Sequence, residues 1–170
     1  LARFVSQLPA GAPAIDALIE RHTIFPYFSP FLSPECWNRT RARMRDEDAG
    51  AVKLGLGVIG SRIKNVRWLR LCLACVDEQC NDGREPYWSR KHQLPGVWLC
   101  SRHDRPLVDR CQQCGPFHHR SADFVLPGPC CPACGAPLVE PSPPLASPRF
   151  RAASLRFAQA STQLLDANLP

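Results

Sequence analysis

Four short pairs of metal-type residues constrain this chain more than anything else in it. Cys72 and Cys75, Cys100 and His103, Cys111 and Cys114, and Cys131 and Cys134 each enclose two residues. That spacing lets one tight turn aim both ligand atoms at a single ion, and a tetrahedral structural site takes two such pairs. Four pairs in order predict two sequential zinc sites. Site one is Cys72, Cys75, Cys100 and His103; site two is Cys111, Cys114, Cys131 and Cys134. Cys36, Cys80 and Cys130 are left over as spare thiols, and His92 reads as a core histidine or an outer partner of a ligand.

Competing chemistries fit less well. Ten cysteines would suit a disulfide framework in a secreted chain. Residues 1–11 lack a charged n-region and an apolar run, however, and His103 would have no role. A redox C-x-x-C sits beside a βαβ pattern, and none is visible. A RING cross-brace places its third pair two or three residues after the histidine, whereas 104–110 separates His103 from Cys111. A catalytic zinc keeps an open position. Both predicted sites are closed by four protein ligands, and neither H-E-x-x-H nor a phosphate-binding loop occurs, so the chain reads as a non-enzyme.

Around the pairs, the predicted fold class is α+β, mostly helical with short hairpins, the two sequential zinc knuckle or ribbon sites being flanked by helices. Residues 1–68 form a helical segment. A short helix is expected over 12–22 and an aromatic, proline-punctuated connector over 25–32. Ser33-Pro34 has the form of an N-cap with proline at the first helical position, opening a helix from 34 to about 48. Ala49, Val52, Leu56, Ile59 and Ile63 continue at helical spacing, which suggests a helical packing unit bracing the zinc core, with helix-turn-helix-like packing as the alternative. Residues 69–140 are the tandem zinc core, where Pro95-Gly96 predicts a type II turn and 97–99 a strand delivering Cys100. Residues 141–170 are a proline-rich linker and a helix over 149–167, expected to lead into a further domain.

The formal charge of +6 falls to about +3 once seven thiolates bind two dications. Global charge is therefore a weak pointer to nucleic acid, and its distribution matters more. Arg39, Arg41, Arg62, Lys64, Arg67 and Arg70 gather before the first pair, and these are the candidate phosphate contacts. No apolar run approaches the roughly 20 residues of a membrane span.

Three stretches carry a resemblance. They are Leu69-Arg70-Leu71-Cys72-Leu73-Ala74-Cys75, Tyr87-Trp88-Ser89-Arg90-Lys91-His92-Gln93-Leu94-Pro95-Gly96-Val97, and Cys100-Ser101-Arg102-His103 through Leu107. Together with the further C-x-x-C pairs, this pattern resembles the TniQ family, and within it the TnsD branch of transposon target selectors. The resemblance covers 69–135, and 23–32 is similar to a second segment of that branch. It implies a non-catalytic adaptor of bacterial transposition, acting in the cytoplasm, that binds double-stranded DNA at an attachment site. It also implies an AAA+ regulator of the TnsC type as partner, with other transposition proteins or a CRISPR complex as further partners. Additional chain before residue 1 and after residue 170 is implied too. The alternative is a zinc scaffold that docks a CRISPR effector or regulator without touching DNA.

Overall fold

The computed structural model describes residues 1–45, 52, 56, 66, 68–116, 126–141 and 147–167. They divide into two units, Leu1–Asn65 with Leu164–Pro170, and Val66–Gln163. Among the described residues the chain is mostly helical, with one two-stranded antiparallel pair.

In the first unit, α1 (Ala2–Val5) precedes α2 (Ile15–His22), a one-turn α3 (Phe25–Phe28), a 3-10 turn (Ser29–Phe31) and α4 (Pro34–Arg45). The 25–32 stretch, expected as an aromatic, proline-punctuated connector, is thus wound into short helical turns over 25–31. Thr23 makes the junction: its hydroxyl donates to the Ile19 carbonyl and accepts from the Phe25 N–H. Ser33 caps α4 as expected, its Oγ accepting from the Cys36 N–H at 3.2 Å. Ile19, Phe25 and Thr40 are buried, and the Phe25 and Trp37 rings lie 6.1 Å apart. Exposed ion pairs tie α2 to α4: Arg41 reaches Asp16 at 3.1 Å and Glu20 at 3.0 Å, and Arg45 reaches Asp16 at 2.5 Å. The stretch expected to form a helical packing unit or helix-turn-helix-like packing lies outside the described residues, except Val52 and Leu56, which share a backbone hydrogen bond of 3.0 Å.

In the second unit, Leu71 pairs with Val108 through two backbone hydrogen bonds of 3.0 and 2.8 Å. The chain then enters α5 (Leu73–Asn81), a helix not anticipated from the sequence. Asp77, Glu78 and Asn81 mask its apolar periodicity, but Leu73 and Val76 still fall on one face and pack into the core. A 3-10 turn (Arg90–Gln93) precedes the Pro95-Gly96 turn. There Gly96 has φ of 76° and the Val97 N–H bonds the Leu94 carbonyl, as a type II turn requires. Leu99 bridges Pro106, followed by β1 (Arg110–Cys111) and β2 (Gly115–Pro116), with Cys111 opposite Gly115. One buried cluster joins these pieces: Leu71, Val76, Val108, Cys111, Cys131, Ala136 and Leu138. With so small a core, cross-links of another kind must carry part of the stability.

The last helix, α6 (Pro148–Asp166), is capped by Ser147, whose Oγ accepts from the Phe150 N–H at 3.2 Å. Ala158 and Ser161 lie on its buried face, while Phe150 and Phe157 of the expected seven-residue repeat are exposed. Among the described residues no helix is long and apolar enough to cross a membrane.

Candidate metal centres

Each half of site one is built by a different device. Cys72 is the N-cap of α5 and Cys75 lies in its first turn, so a helix start presents both sulfurs. Cys100 and His103 sit on a tight knuckle. The Cys100 N–H bonds the Arg105 carbonyl at 2.8 Å, and the Asp104 N–H returns to the Cys100 carbonyl at 3.0 Å. Asp104 closes the turn in the left-handed region, with φ of 49°. The second knuckle of site two repeats the bonding. Cys131 N–H bonds Ala136 at 2.7 Å, Gly135 N–H bonds Cys131 at 2.8 Å, and Gly135 has φ of 73°. Cys111 ends β1 and Cys114 closes the turn into β2, whose first residue, Gly115, has φ of 96°.

The folding brings together the same eight residues that the spacing grouped, in the same two sets. Within each set all four ligand atoms lie within 4.8 Å of one another, so each set could hold a metal ion. A tetrahedron with metal–sulfur bonds of about 2.3 Å has edges of about 3.8 Å, or about 3.6 Å between sulfur and a histidine nitrogen. In site one, Cys75 and Cys100 Sγ are 3.7 Å apart, and His103 Nδ1 lies 3.6, 3.3 and 3.6 Å from the sulfurs of Cys72, Cys75 and Cys100. In site two, Cys111 and Cys134 are 3.7 Å apart, and Cys114 and Cys131 are 3.5 Å apart. These separations far exceed the about 2.05 Å of a disulfide.

The thiols of each cluster perturb one another. In site one, hydrogen bonding to Cys100 pushes the Cys72 thiol up to about 11. The Cys100 and Cys72 sulfurs push Cys75 far up, and hydrogen bonds from Cys72 and Cys75 pull Cys100 strongly down. In site two, Cys131 and Cys134 push Cys114 up to about 12. Burial opposes ionisation of Cys131, yet the N–H groups of Cys134 and Ala133 bring it down to about 7. In site one Cys100 is drawn down while Cys72 and Cys75 are raised, and in site two Cys111 and Cys131 are drawn down while Cys114 and Cys134 are raised; thiolates held this close repel one another. A dication between them removes that repulsion.

Residues beyond the ligands support site one. His103 Nε2 is 3.1 Å from Glu78 Oε1, and the Arg102 guanidinium spans Glu78 Oε1 and Oε2 at 3.0 and 2.9 Å. Buried His92 places Nε2 3.9 Å from Cys75 Sγ, an outer partner and not a fifth ligand. Glu78 escaped the sequence reading because 72–75 was taken as a turn; on a helix it stands one turn after Cys75, on the same face. From α6, Arg151 pairs with Asp104 at 3.0 Å and Thr162 Oγ1 bonds Ser101 Oγ at 3.0 Å. Cys80 and Cys130 are exposed and Cys36 half-buried, all outside both clusters.

The candidate phosphate contacts fare unevenly. Arg70 must be corrected. It is only 4% exposed, and its guanidinium donates to the carbonyls of Val97 and, at 2.7 Å, Leu94, while lying 5.5 Å from the Trp98 ring. Burial draws that guanidinium down to about 10, against the opposing Asp109 charge. It clamps the Pro95-Gly96 turn and cannot reach a phosphate. Gln93 completes the clamp, accepting from the Arg70 N–H at 3.0 Å and donating to its carbonyl at 2.7 Å. Arg41 is engaged by Asp16 and Glu20 and lies 4.9 Å over the Trp37 ring. Arg39 is exposed on α4, whereas Arg62, Lys64 and Arg67 lie outside the described residues.

A family model described as TniQ matches residues 7–107, more than half of the chain. The chain belongs to the TniQ family. A relative, Transposon Tn7 transposition protein TnsD of Escherichia coli, is 34% identical over 125 residues, covering 70% of this chain and 24% of that protein. The chain thus spans about a quarter of that TniQ relative's length. The family match takes in all of site one and ends before the first ligand of site two.

Proposed function

We propose that this chain is the metal-stiffened part of a transposition target-selection protein, a non-catalytic adaptor of the bacterial cytoplasm that engages double-stranded target DNA and recruits an AAA+ regulator of the TnsC type. The observation that carries the reading is a TniQ chain, related to a TnsD transposition protein, whose eight metal-type residues gather into two four-ligand clusters. Sulfur-rich tetrahedral sets favour zinc, and four protein ligands leave no open position for substrate, which is the arrangement of a structural ion. The two ions would hold the 69–140 core rigid, so that contact residues on it keep fixed positions. Phosphate contacts are assigned to Arg39, Arg62, Lys64 and Arg67.

A protein-docking scaffold that meets a regulator or a CRISPR complex without touching DNA is the second reading. It is favoured by the internal engagement of Arg70 and Arg41, and by the exposed aromatic rings of Phe31, Tyr87 and Trp98. A salt titration of DNA binding, run beside a regulator pull-down, separates the two. DNA binding that weakens steeply with salt, by about 0.9 logarithmic units per phosphate contacted for each tenfold rise in salt, supports the first reading. Recruitment of the regulator with no measurable DNA binding supports the second.

A further inference from the structure

We infer that Glu78 is the positioning residue of site one: its carboxylate holds His103 in the tautomer that offers Nδ1 to the ion, and Arg102 holds the carboxylate. The inference rests on the reading of site one as a metal centre and adds residues that the ligand spacing does not contain.

The geometry leaves little choice of tautomer. A neutral imidazole carries one N–H and one lone pair. His103 Nε2 faces Glu78 Oε1 at 3.1 Å, and Nδ1 faces three sulfurs at 3.6, 3.3 and 3.6 Å. A proton on Nδ1 would turn the Nε2 lone pair against a carboxylate oxygen, acceptor to acceptor. With the proton on Nε2, that N–H donates to Glu78 and the Nδ1 lone pair points at the centre of the cluster. Metal-binding histidines commonly use a carboxylate in this way, and the negative charge also makes the ligating nitrogen more basic.

The carboxylate is itself held. Arg102 bridges both of its oxygens, at 3.0 and 2.9 Å, and is adjacent in sequence to His103. Glu78 stands on α5, the helix that also supplies Cys75. The two halves of site one are therefore joined twice, once through the ion and once through the Arg102–Glu78–His103 chain. That second link ties α5 to the knuckle through side chains alone. Site two has four sulfur ligands and no imidazole to orient, so it serves as an internal control.

The test uses the full zinc-loaded chain with Glu78→Ala and Glu78→Gln. Zinc is withdrawn by chelators of graded strength, and the ring of His103, labelled with nitrogen-15, is followed by NMR as a direct report of site one. Glu78→Ala is expected to weaken zinc at site one by about 10- to 100-fold, with site two unchanged, and to let the ring exchange between Nδ1 and Nε2 binding. Glu78→Gln keeps an oxygen that accepts from the Nε2–H, so it should recover most of the affinity and the single tautomer. Unchanged affinity and an unchanged ring signal in Glu78→Ala would overturn the inference, as would equal losses at both sites. If the wild-type chain holds zinc only at site two, the reading of site one as a metal centre fails, and this inference falls with it.

Discussion

The two metal-type clusters use nearly the same knuckle in very different surroundings. In site one, Cys72 and Cys100 are buried and Cys75 and His103 half-buried. Helix α5 contributes Glu78 to its histidine, α6 grips the knuckle through Arg151, and Arg70 clamps the turn that leads into Cys100. In site two, Cys111 and Cys131 belong to the apolar cluster, but Cys114 and Cys134 are exposed. Spacing alone thus groups the residues of a candidate metal site, whereas what packs and bonds around them lies outside that spacing. Site one sets its four metal-type residues in a hydrogen-bonded frame. Site two sets its four among a few apolar contacts.

The largest effects should come from removing metal. Structural zinc contributes apparent binding free energies of about 10–16 kcal/mol in small metal-dependent folds. Elemental analysis should find two zinc ions per chain, and stripping both with a strong chelator should abolish the cooperative unfolding of the Val66–Gln163 unit, followed by circular dichroism. Cys75→Ser and Cys131→Ser should each leave one ion. If Cys131→Ser loses both, the sites are not separable, and the shared cluster that joins Cys131 to Leu71 and Val76 would be the reason.

Order of loss is a finer test. A limiting thiol-alkylating reagent should modify Cys114 and Cys134 before any ligand of site one, because only those two ligands are exposed. Zinc release tracked by a coloured chelator should then be biphasic, with peptide mass spectrometry placing the first phase at site two. Early modification of Cys75 would reverse the comparison. Cys36→Ser and Cys80→Ser should leave the zinc count at two.

The hydrogen-bonded frame can be weakened without touching a ligand. Arg70→Met keeps much of the apolar stem but leaves the Val97 carbonyl without this donor and the Leu94 carbonyl with the Val97 N–H alone, at an expected cost of about 2 kcal/mol. Arg70→Lys should not rescue it, since a single ammonium lacks the planar fork. Thermal unfolding measures the cost, and chelator competition should show site one loosened more than site two.

What the sequence could disclose follows the range of the interaction. The grouping of the eight metal-type residues was legible because two-residue spacing is a local signal, and so were the Ser33 cap and the Pro95-Gly96 turn. The roles of Arg70 and Glu78 were not. Arg70 looked like one more basic residue in a basic stretch, and its partners lie 24 and 27 positions away. The partner of Glu78, His103, shares no local pattern with it. Helix α5 was hidden because a C-x-x-C pair suggests a knuckle, and here Cys72 instead starts a helix. The Phe25–Phe28 and Ser29–Phe31 turns were hidden by prolines, which suit first helical turns as well as connectors.

The smallest expected effect separates the knuckles themselves. The residue following the second ligand is left-handed in three pairs: Asp104 at φ 49°, Gly115 at 96° and Gly135 at 73°. A Cβ at Gly135 would meet nothing within 4 Å, so Gly135→Ala isolates the backbone penalty, expected at about 1 kcal/mol. Gly135→Asn should cost less, because Asn tolerates this region better than Ala. Site one shows how a side chain is accommodated there: Asp104 bears the left-handed strain while its carboxylate holds Arg151 at 3.0 Å. Asp104 Oδ1 is also buried with no partner among the described residues. Asp104→Gly would relieve both costs and lose the ion pair, so its net effect should stay within about 0.5 kcal/mol. Thermal unfolding of the zinc-loaded chain measures all three variants. A neutral Gly135→Ala would mean that the second knuckle can relax into another turn around its ion, and the two sites would then share a ligand spacing but not a backbone design.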